Sequence, residues 1–136
     1  MITYLDSNVF ILAVFSNNNK AMKARELIKK GILSELSIAT SSLTVDEVVW
    51  KIWKETKDRS LAIEEGLRLL QFDNLKIVKI DSDVLKAALN FMKDYKILKP
   101  RDAIHLAAAL NAGASVIVSD DSDFDNIKEI KRKSLD

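Results

Sequence analysis

The sequence predicts an α/β fold, a three-layer sandwich around a central, mostly parallel sheet of four or five strands. Two observations predict it. Short apolar, partly β-branched runs alternate with helical patterns along the whole chain, which is the order of βαβ units. Those runs also lack polar alternation, as expected of strands covered on both faces.

Ile2-Thr3-Tyr4-Leu5 reads as a buried strand ending at Asp6. Residues 8–15 are nearly continuously apolar and predict a buried helix, broken by Ser16-Asn17-Asn18-Asn19. A basic helix follows over about 20–30, with Gly31 as its stop. Ser37–Thr40 reads as a second strand. Val45, Val48, Val49, Ile52 and Trp53 then recur at the helical period and form one apolar stripe. Another helix spans roughly 59–71, and residues 76–80 predict a third strand. Ser82 is placed to cap a helix carrying Val84, Leu85, Ala88, Leu89 and Met92. Pro100 opens a helix that runs through Ala103 to Ala112, and Gly113 closes it. Ser115–Val118 reads as a fourth strand, and Ile127–Lys131 as a short fifth.

Composition narrows the chemistry. The chain has 136 residues, 48% hydrophobic and 30% charged, a length that suits one domain spanning 1–136. Without cysteine it has no disulfide framework, thiol nucleophile or thiolate zinc site. The single histidine, His105, weakens any Ser–His mechanism. No apolar run approaches the ~18 residues of a membrane span. No secretion signal is evident at Met1–Asp6, so the expected location is the cytoplasm. The net charge of +1 is neutral on nucleic-acid binding, which depends on patches rather than totals. Carboxylates are left as the plausible reactive groups.

In parallel sheets, functional groups gather beyond the carboxyl ends of the strands. Asp6 follows the first strand directly, Glu47 lies in the first turn of the helix after the second, and Asp120, Asp121, Asp123 and Asp125 crowd beyond the fourth. Asp102, in the first turn of the helix opened by Pro100, joins them if that helix begins at the same edge. Each has a structural alternative. Asp6 could cap the helix near Asn8, and Glu47 could complete a capping box, Thr44-x-x-Glu47. Asp102 could simply suit a helix dipole, and the Asp-rich segment could be a turn. His105 reads as a packed core histidine, and Trp50 as packing or part of a partner-binding surface. Convergence of the acids favours a site. Like charges at ~4 Å repel by about 4 kcal/mol at an effective dielectric of 20, so a cluster raises its pKa values or recruits a cation. Hard oxygen ligands point to Mg²⁺ or Mn²⁺, ions that serve phosphoryl transfer.

Four segments in order carry a resemblance: Leu5-Asp6-Ser7-Asn8-Val9; Ser42-Leu43-Thr44-Val45-Asp46-Glu47-Val48; Arg101-Asp102-Ala103-Ile104-His105-Leu106-Ala107-Ala108-Ala109; and Val118-Ser119-Asp120-Asp121-Ser122-Asp123-Phe124. Over essentially its whole length the chain resembles the PIN-domain family, especially the small VapC-like ribonuclease toxins of prokaryotic toxin–antitoxin pairs. The resemblance implies a metal-dependent endoribonuclease, with one or two Mg²⁺ or Mn²⁺ ions and a 5′-phosphate product. Matching positions make Asp6, Glu47, Asp102 and Asp121 the acidic site and metal ligands, with Asp123 as an additional carboxylate. Asn8 and Ser119 stand where supporting polar residues stand; Ser119 replaces the usual Thr, and Asp120 occupies a variable position. The resemblance also implies an RNA substrate, a homodimer and an antitoxin bound over the active-site groove.

A carboxylate site repels RNA unless cations lie nearby. Lysines and arginines of the 20–30, 51–57 and 128–133 segments are candidates, and Lys99 and Arg101, which flank Asp102, are the favoured pair. Three rival readings remain at this level. A haloacid-dehalogenase-like phosphatase would need an acid where Asn8 stands, and a receiver domain would need an acidic pair after the first strand. A non-catalytic RNA- or protein-binding module would carry a vestigial acidic site.

Overall fold

The computed structural model describes residues 1–136. Its elements are β1 (Ile2–Leu5), α1 (Ser7–Phe15), α2 (Asn19–Ile32), β2 (Ser37–Ser41), α3 (Ser42–Thr56), α4 (Arg59–Leu70), β3 (Leu75–Val78), α5 (Ser82–Asp94), α6 (Pro100–Asn111), β4 (Ala114–Val118), a 3-10 turn at Ser122–Phe124, and β5 (Lys131–Lys133). The sheet order is β3-β2-β1-β4-β5, and every pairing is parallel.

Alternation along the strands divides the core in two. Tyr4, Ala39 and Ile117 face α5 and α6. Leu5, Ile38, Val116 and Val118 face the layer of α1 to α4. The result is the expected three-layer sandwich, its sheet wholly parallel. Four alanines of α6 (Ala103, Ala107, Ala108 and Ala109) are buried, and these small side chains let the helix lie close to the sheet. The connection leaving β1 leads to β2, whereas β4 is followed by β5 on the other side. That reversal puts a switch point between the carboxyl ends of β1 and β4, where open α/β sheets bind ligands.

Several local expectations are corrected. Gly31 does not stop α2 but lies within it, one residue before the end. A Cβ there would sit 2.0 Å from Ile38 Cδ1, so the glycine serves close helix–sheet packing. Asp81, not Ser82, caps α5, accepting the Val84 N–H at 3.0 Å. The fifth strand starts at Lys131 rather than Ile127. Ile127 and Ile130 supply core contacts from turn residues, while the basic strand Lys131-Arg132-Lys133 closes the sheet edge with charge. The apolar α1 is buried only on one side, at Val9 and Phe10, and leaves Val14 and Phe15 exposed. Glu47 lies beyond the first turn of α3, because that helix already begins at Ser42. Thr44 caps nothing: it is buried and bonded to Thr40 Oγ1 at 2.7 Å, so the capping box is absent.

Candidate active site

The backbone N–H of Asp6 continues the sheet by donating to Val118 O at 3.1 Å. This leaves the Asp6 side chain at the switch point, only 7% exposed. A carboxylate that buried needs donors, and it has several. Oδ1 accepts from Ser7 N at 2.7 Å, which caps α1, and lies 3.3 Å from His105 Nε2. Oδ2 accepts from Ser119 Oγ at 2.7 Å and distantly from Asn8 Nδ2 at 3.5 Å. Asp6 is therefore both the helix cap and a member of the acidic site.

Ser119 ties the segments together. Its hydroxyl donates to Asp6 and accepts from Asn8 Nδ2 at 3.3 Å and from Asp121 N at 3.0 Å, which uses all of its hydrogen-bonding capacity. Asn8 Oδ1, by contrast, is buried with no partner. The amide of Asn8 has no acidic proton to give, so the Asp-x-Asp opening of a phosphatase has no counterpart.

Glu47 reaches the same place from α3. Its Oε1 accepts from His105 Nε2 at 2.5 Å, and the Nε2, Oε1 and Asp6 oxygen atoms all lie within 4.8 Å of one another. His105 is buried, as its alanine-rich setting predicts, but its ring also belongs to the site, which sequence reasoning missed. Tyr4 and Ser41 were missed as well: Tyr4 Oη stands 2.8 Å from His105 Nδ1 and donates to Ser41 Oγ at 2.9 Å. A usable sign was present, since Asp102 and His105 are three residues apart on α6 and so share a helix face. Burial alone would lower the His105 pKa, but the Glu47 hydrogen bond and the charges of Asp6, Glu47 and Asp102 together raise it. Burial pushes the Tyr4 hydroxyl well above its ordinary range, with the Asp6 charge adding to the effect.

A second cluster is joined to the first through Ser119, whose hydroxyl donates to Asp6 and accepts from Asp121 N. Asp102, at the third position of α6, accepts from Lys99 N at 3.1 Å, as the predicted dipole-favoured site allows. Asp121 Oδ1 accepts from Asp123 N at 2.9 Å. Oxygens of Asp102, Asp121 and Asp123 lie within 4.8 Å of one another. Burial pushes Asp102 up to about 6, and the charges of Asp121 and Asp123 add to it, against the opposing Lys99 N–H. No lysine or arginine pairs with Asp6, Glu47, Asp102, Asp121 or Asp123. Asp120 instead meets Lys20 at 3.3 Å.

Beside Glu47 opens a cleft of about 370 Å³, lined in part by Trp50, Lys51 and Arg101. Arg101 thus lies at the site, whereas exposed Lys99 does not line this cleft. Other basic candidates are engaged elsewhere: Lys30 with Glu26, Lys51 with Glu55, Arg132 with Asp125, and Arg25 with the Ala13 and Ser16 carbonyls at the end of α1.

The donor set fits a hard divalent cation: carboxylate oxygens from separate segments with no lysine or arginine partner, and a partnerless buried amide oxygen at Asn8. No curated protein matches the chain significantly. Among solved structures, it is similar to VapBC2 from Rickettsia felis bound to a promoter DNA fragment, at 18% identity, 100% coverage of both chains and a TM-score of 0.75. It is similar to VapC20 of Mycobacterium tuberculosis, a sarcin–ricin loop cleaving toxin, at 14% identity, covering 95% of this chain and 97% of that one, with a TM-score of 0.73. FitAcB from Neisseria gonorrhoeae is similar at 17% identity, 99% and 98% coverage and a TM-score of 0.72. These likenesses are of fold. The PIN domain family matches residues 3–130, nearly the full span over which the sheet, its switch point and the acidic segments have been described, and the chain belongs to that family.

Proposed function

We propose that this chain is a metal-dependent endoribonuclease and the toxin of a toxin–antitoxin pair, acting in the cytoplasm. The observation that carries the reading is a pair of carboxylate clusters, Asp6 with Glu47 and Asp102 with Asp121 and Asp123, joined through Ser119 and without a lysine or arginine to neutralise them. One or two Mg²⁺ or Mn²⁺ ions fit such oxygens. When bound, such an ion activates water and offsets charge on the phosphodiester. Asp6, Asp102 and Asp121 are the principal ligands in this reading, with Asp123 as an additional one. Glu47 holds a second ion or orients the attacking water. Asn8 and Ser119 fix the Asp6 and Asp121 segments through the hydrogen bonds described above. Arg101, with Lys99 nearby, attracts the RNA backbone, which phosphate contacts do without selecting sequence.

The partners follow the same reading. VapC20 is described as cleaving the sarcin–ricin loop, and several similar structures are toxin–antitoxin complexes. An antitoxin bound over the active-site groove would cover the cleft beside Glu47, where Ile11 and exposed Trp50 offer apolar contacts and Arg101 a charged one. Homodimerisation is supported by exposed Leu85 and Leu89, one turn apart on α5. No helix is long and apolar enough to cross a membrane.

The test is incubation of the purified protein with structured RNAs in Mn²⁺, in Mg²⁺ and in excess chelator. Cleavage restricted to the metal-containing reactions is expected, weakening as salt rises. Equal cleavage in chelator would remove the metal from the reading, and intact RNA under every condition would remove the nuclease.

A further inference from the structure

The imidazole of His105 is deeply buried, yet its two nitrogens face different surroundings. On the Nε2 side there are only carboxylate oxygens, Glu47 Oε1 at 2.5 Å and Asp6 Oδ1 at 3.3 Å. Carboxylates accept and do not donate, so Nε2 must carry the proton. On the Nδ1 side Tyr4 Oη stands 2.8 Å away, itself bonded to Ser41 Oγ at 2.9 Å. The ring is thus held by Glu47 of α3 and by Asp6, just past β1, on one side and by Tyr4 of β1 on the other, while α6 supplies its backbone. Glu47 needs this support more than Asp6 does. Asp6 has further donors in Ser7 N and Ser119 Oγ, whereas His105 is the one hydrogen-bond partner of the Glu47 side chain.

We infer that His105 is a positioning residue: by donating from Nε2 it holds the Glu47 carboxylate beside Asp6, in the place from which both can share a divalent ion, and Tyr4 sets the ring plane from the other side. The inference rests on the ion-binding reading above, and it assigns His105 a role through Glu47 rather than a contact with substrate. Removing outer partners of ligating groups typically lowers metal affinity about 10–100-fold, which sets the scale of the effect.

Glutamine and asparagine separate this role from plain packing. The side-chain amide of His105→Gln reaches about as far as Nε2, whereas that of His105→Asn reaches only as far as Nδ1. Calorimetric Mn²⁺ titration of the whole chain should show His105→Asn weakened about 10–100-fold, His105→Gln recovering most of that loss, and Tyr4→Phe falling between. Circular dichroism melts establish that each variant is folded at the titration temperature; if His105→Asn is not, Tyr4→Phe against wild type carries the comparison. Folded variants with wild-type Mn²⁺ affinity, or a His105→Gln variant as weak as His105→Asn, would overturn the inference.

A second readout needs no metal. His105 is the only histidine, so its long-range ¹H–¹⁵N imidazole spectrum is unambiguous. Nε2 should appear protonated, and its resonance should move in Glu47→Gln. An unprotonated Nε2, or a resonance indifferent to Glu47→Gln, sinks the inference. A wild-type protein that gives the expected spectrum but takes up no Mn²⁺ would instead sink the ion-binding reading and leave the His105–Glu47 link standing.

Discussion

The two carboxylate clusters at the sheet edge are built on opposite principles. Around Asp6 the protein provides donors: a helix N-terminus, the Ser119 hydroxyl and the His105 ring. Around Asp102 it provides mainly other acids. Asp102 has one backbone donor from Lys99, faces Asp121 and Asp123, and is pushed up to about 6 by burial and their charge. The first cluster is organised by the protein's own donors. The second is left in electrostatic debt, which a cation of hard character relieves. The difference teaches that one sheet edge can hold some carboxylates rigidly in donors and leave others crowded, which on the proposed reading divides the placing of ligands from the demand for charge.

The largest effects test whether both sides are needed. Asp6→Asn and Asp121→Asn each remove the charge of a proposed ligand from a different cluster, and both should reduce metal-dependent RNA cleavage by at least ~100-fold, beyond what loss of an outer partner costs. Cleavage assays on the folded variants check this. Full activity in both would end the assignment, and activity in one would show that a single cluster suffices.

Next in size is the joint between the clusters. Ser119→Ala deletes the hydroxyl that serves Asp6, Asn8 and Asp121 N. Buried groups left short of a partner cost roughly 1–3 kcal/mol, and Mn²⁺ affinity should fall about 10–100-fold. Denaturant melts and calorimetry read the two effects. A Ser119→Thr replacement keeps the hydroxyl and should retain most of both.

The third test exploits stability, where the clusters should answer with opposite sign. Without metal, Asp6→Asn places an amide among donors and should destabilise by about 1–3 kcal/mol. Asp102→Asn removes one of several crowded charges and should stabilise by up to ~1 kcal/mol, limited by the solvent that reaches a half-buried group. The pH dependence follows from the raised Asp102 value. A carboxyl whose folded pKa lies above its ordinary 3.8 contributes no penalty when protonated in both states; as pH rises towards and through about 6, the unfolded chain ionises more readily and folding stability is lost. Metal-free wild type should therefore fall behind Asp102→Asn over that interval, and Mg²⁺ should close the gap. Melts at pH 4, 5, 6 and 7, chosen to span the range from an ordinary carboxylate upward, decide it; parallel curves would mean the crowding is not felt.

What could be read from sequence divides along the same line. Parallel strands buried on both faces announce themselves as apolar runs, so β1, β2 and β4 were legible, as were the acids beyond β1 and β4, whereas edge strand β3 runs over Leu75–Val78 rather than the predicted 76–80. Helix ends were less so, because Gly31 answers to the bulk of Ile38 across the interface rather than to its own turn. Thr44-x-x-Glu47 has the spacing of a capping box, but α3 starts early enough to carry Glu47 inward to His105. The β5 segment was misplaced because Ile127 and Ile130 are buried without being strand. His105 was legible as core and illegible as site, since its partners Tyr4, Asp6 and Glu47 come from elements brought together only by the sheet order.

The smallest expected effect concerns Asp120, which borders the charged cluster without joining it. Chemically it is the twin of Asp121, but the chain turns after β4 so that Asp121 meets Asp102 and Asp123 while Asp120 meets Lys20. Lys20 also pairs with Asp136, so it keeps a partner when Asp120 is neutralised. The other oxygen of Asp120, Oδ1, is buried without a partner but lies outside the Asp102 cluster, so Asp120→Asn should leave metal-dependent cleavage and Mn²⁺ affinity unchanged within a factor of about two. A loss comparable with that of Asp121→Asn would exchange the roles of the neighbours, and with them the boundary between the charge the protein neutralises itself and the charge it reserves for an ion.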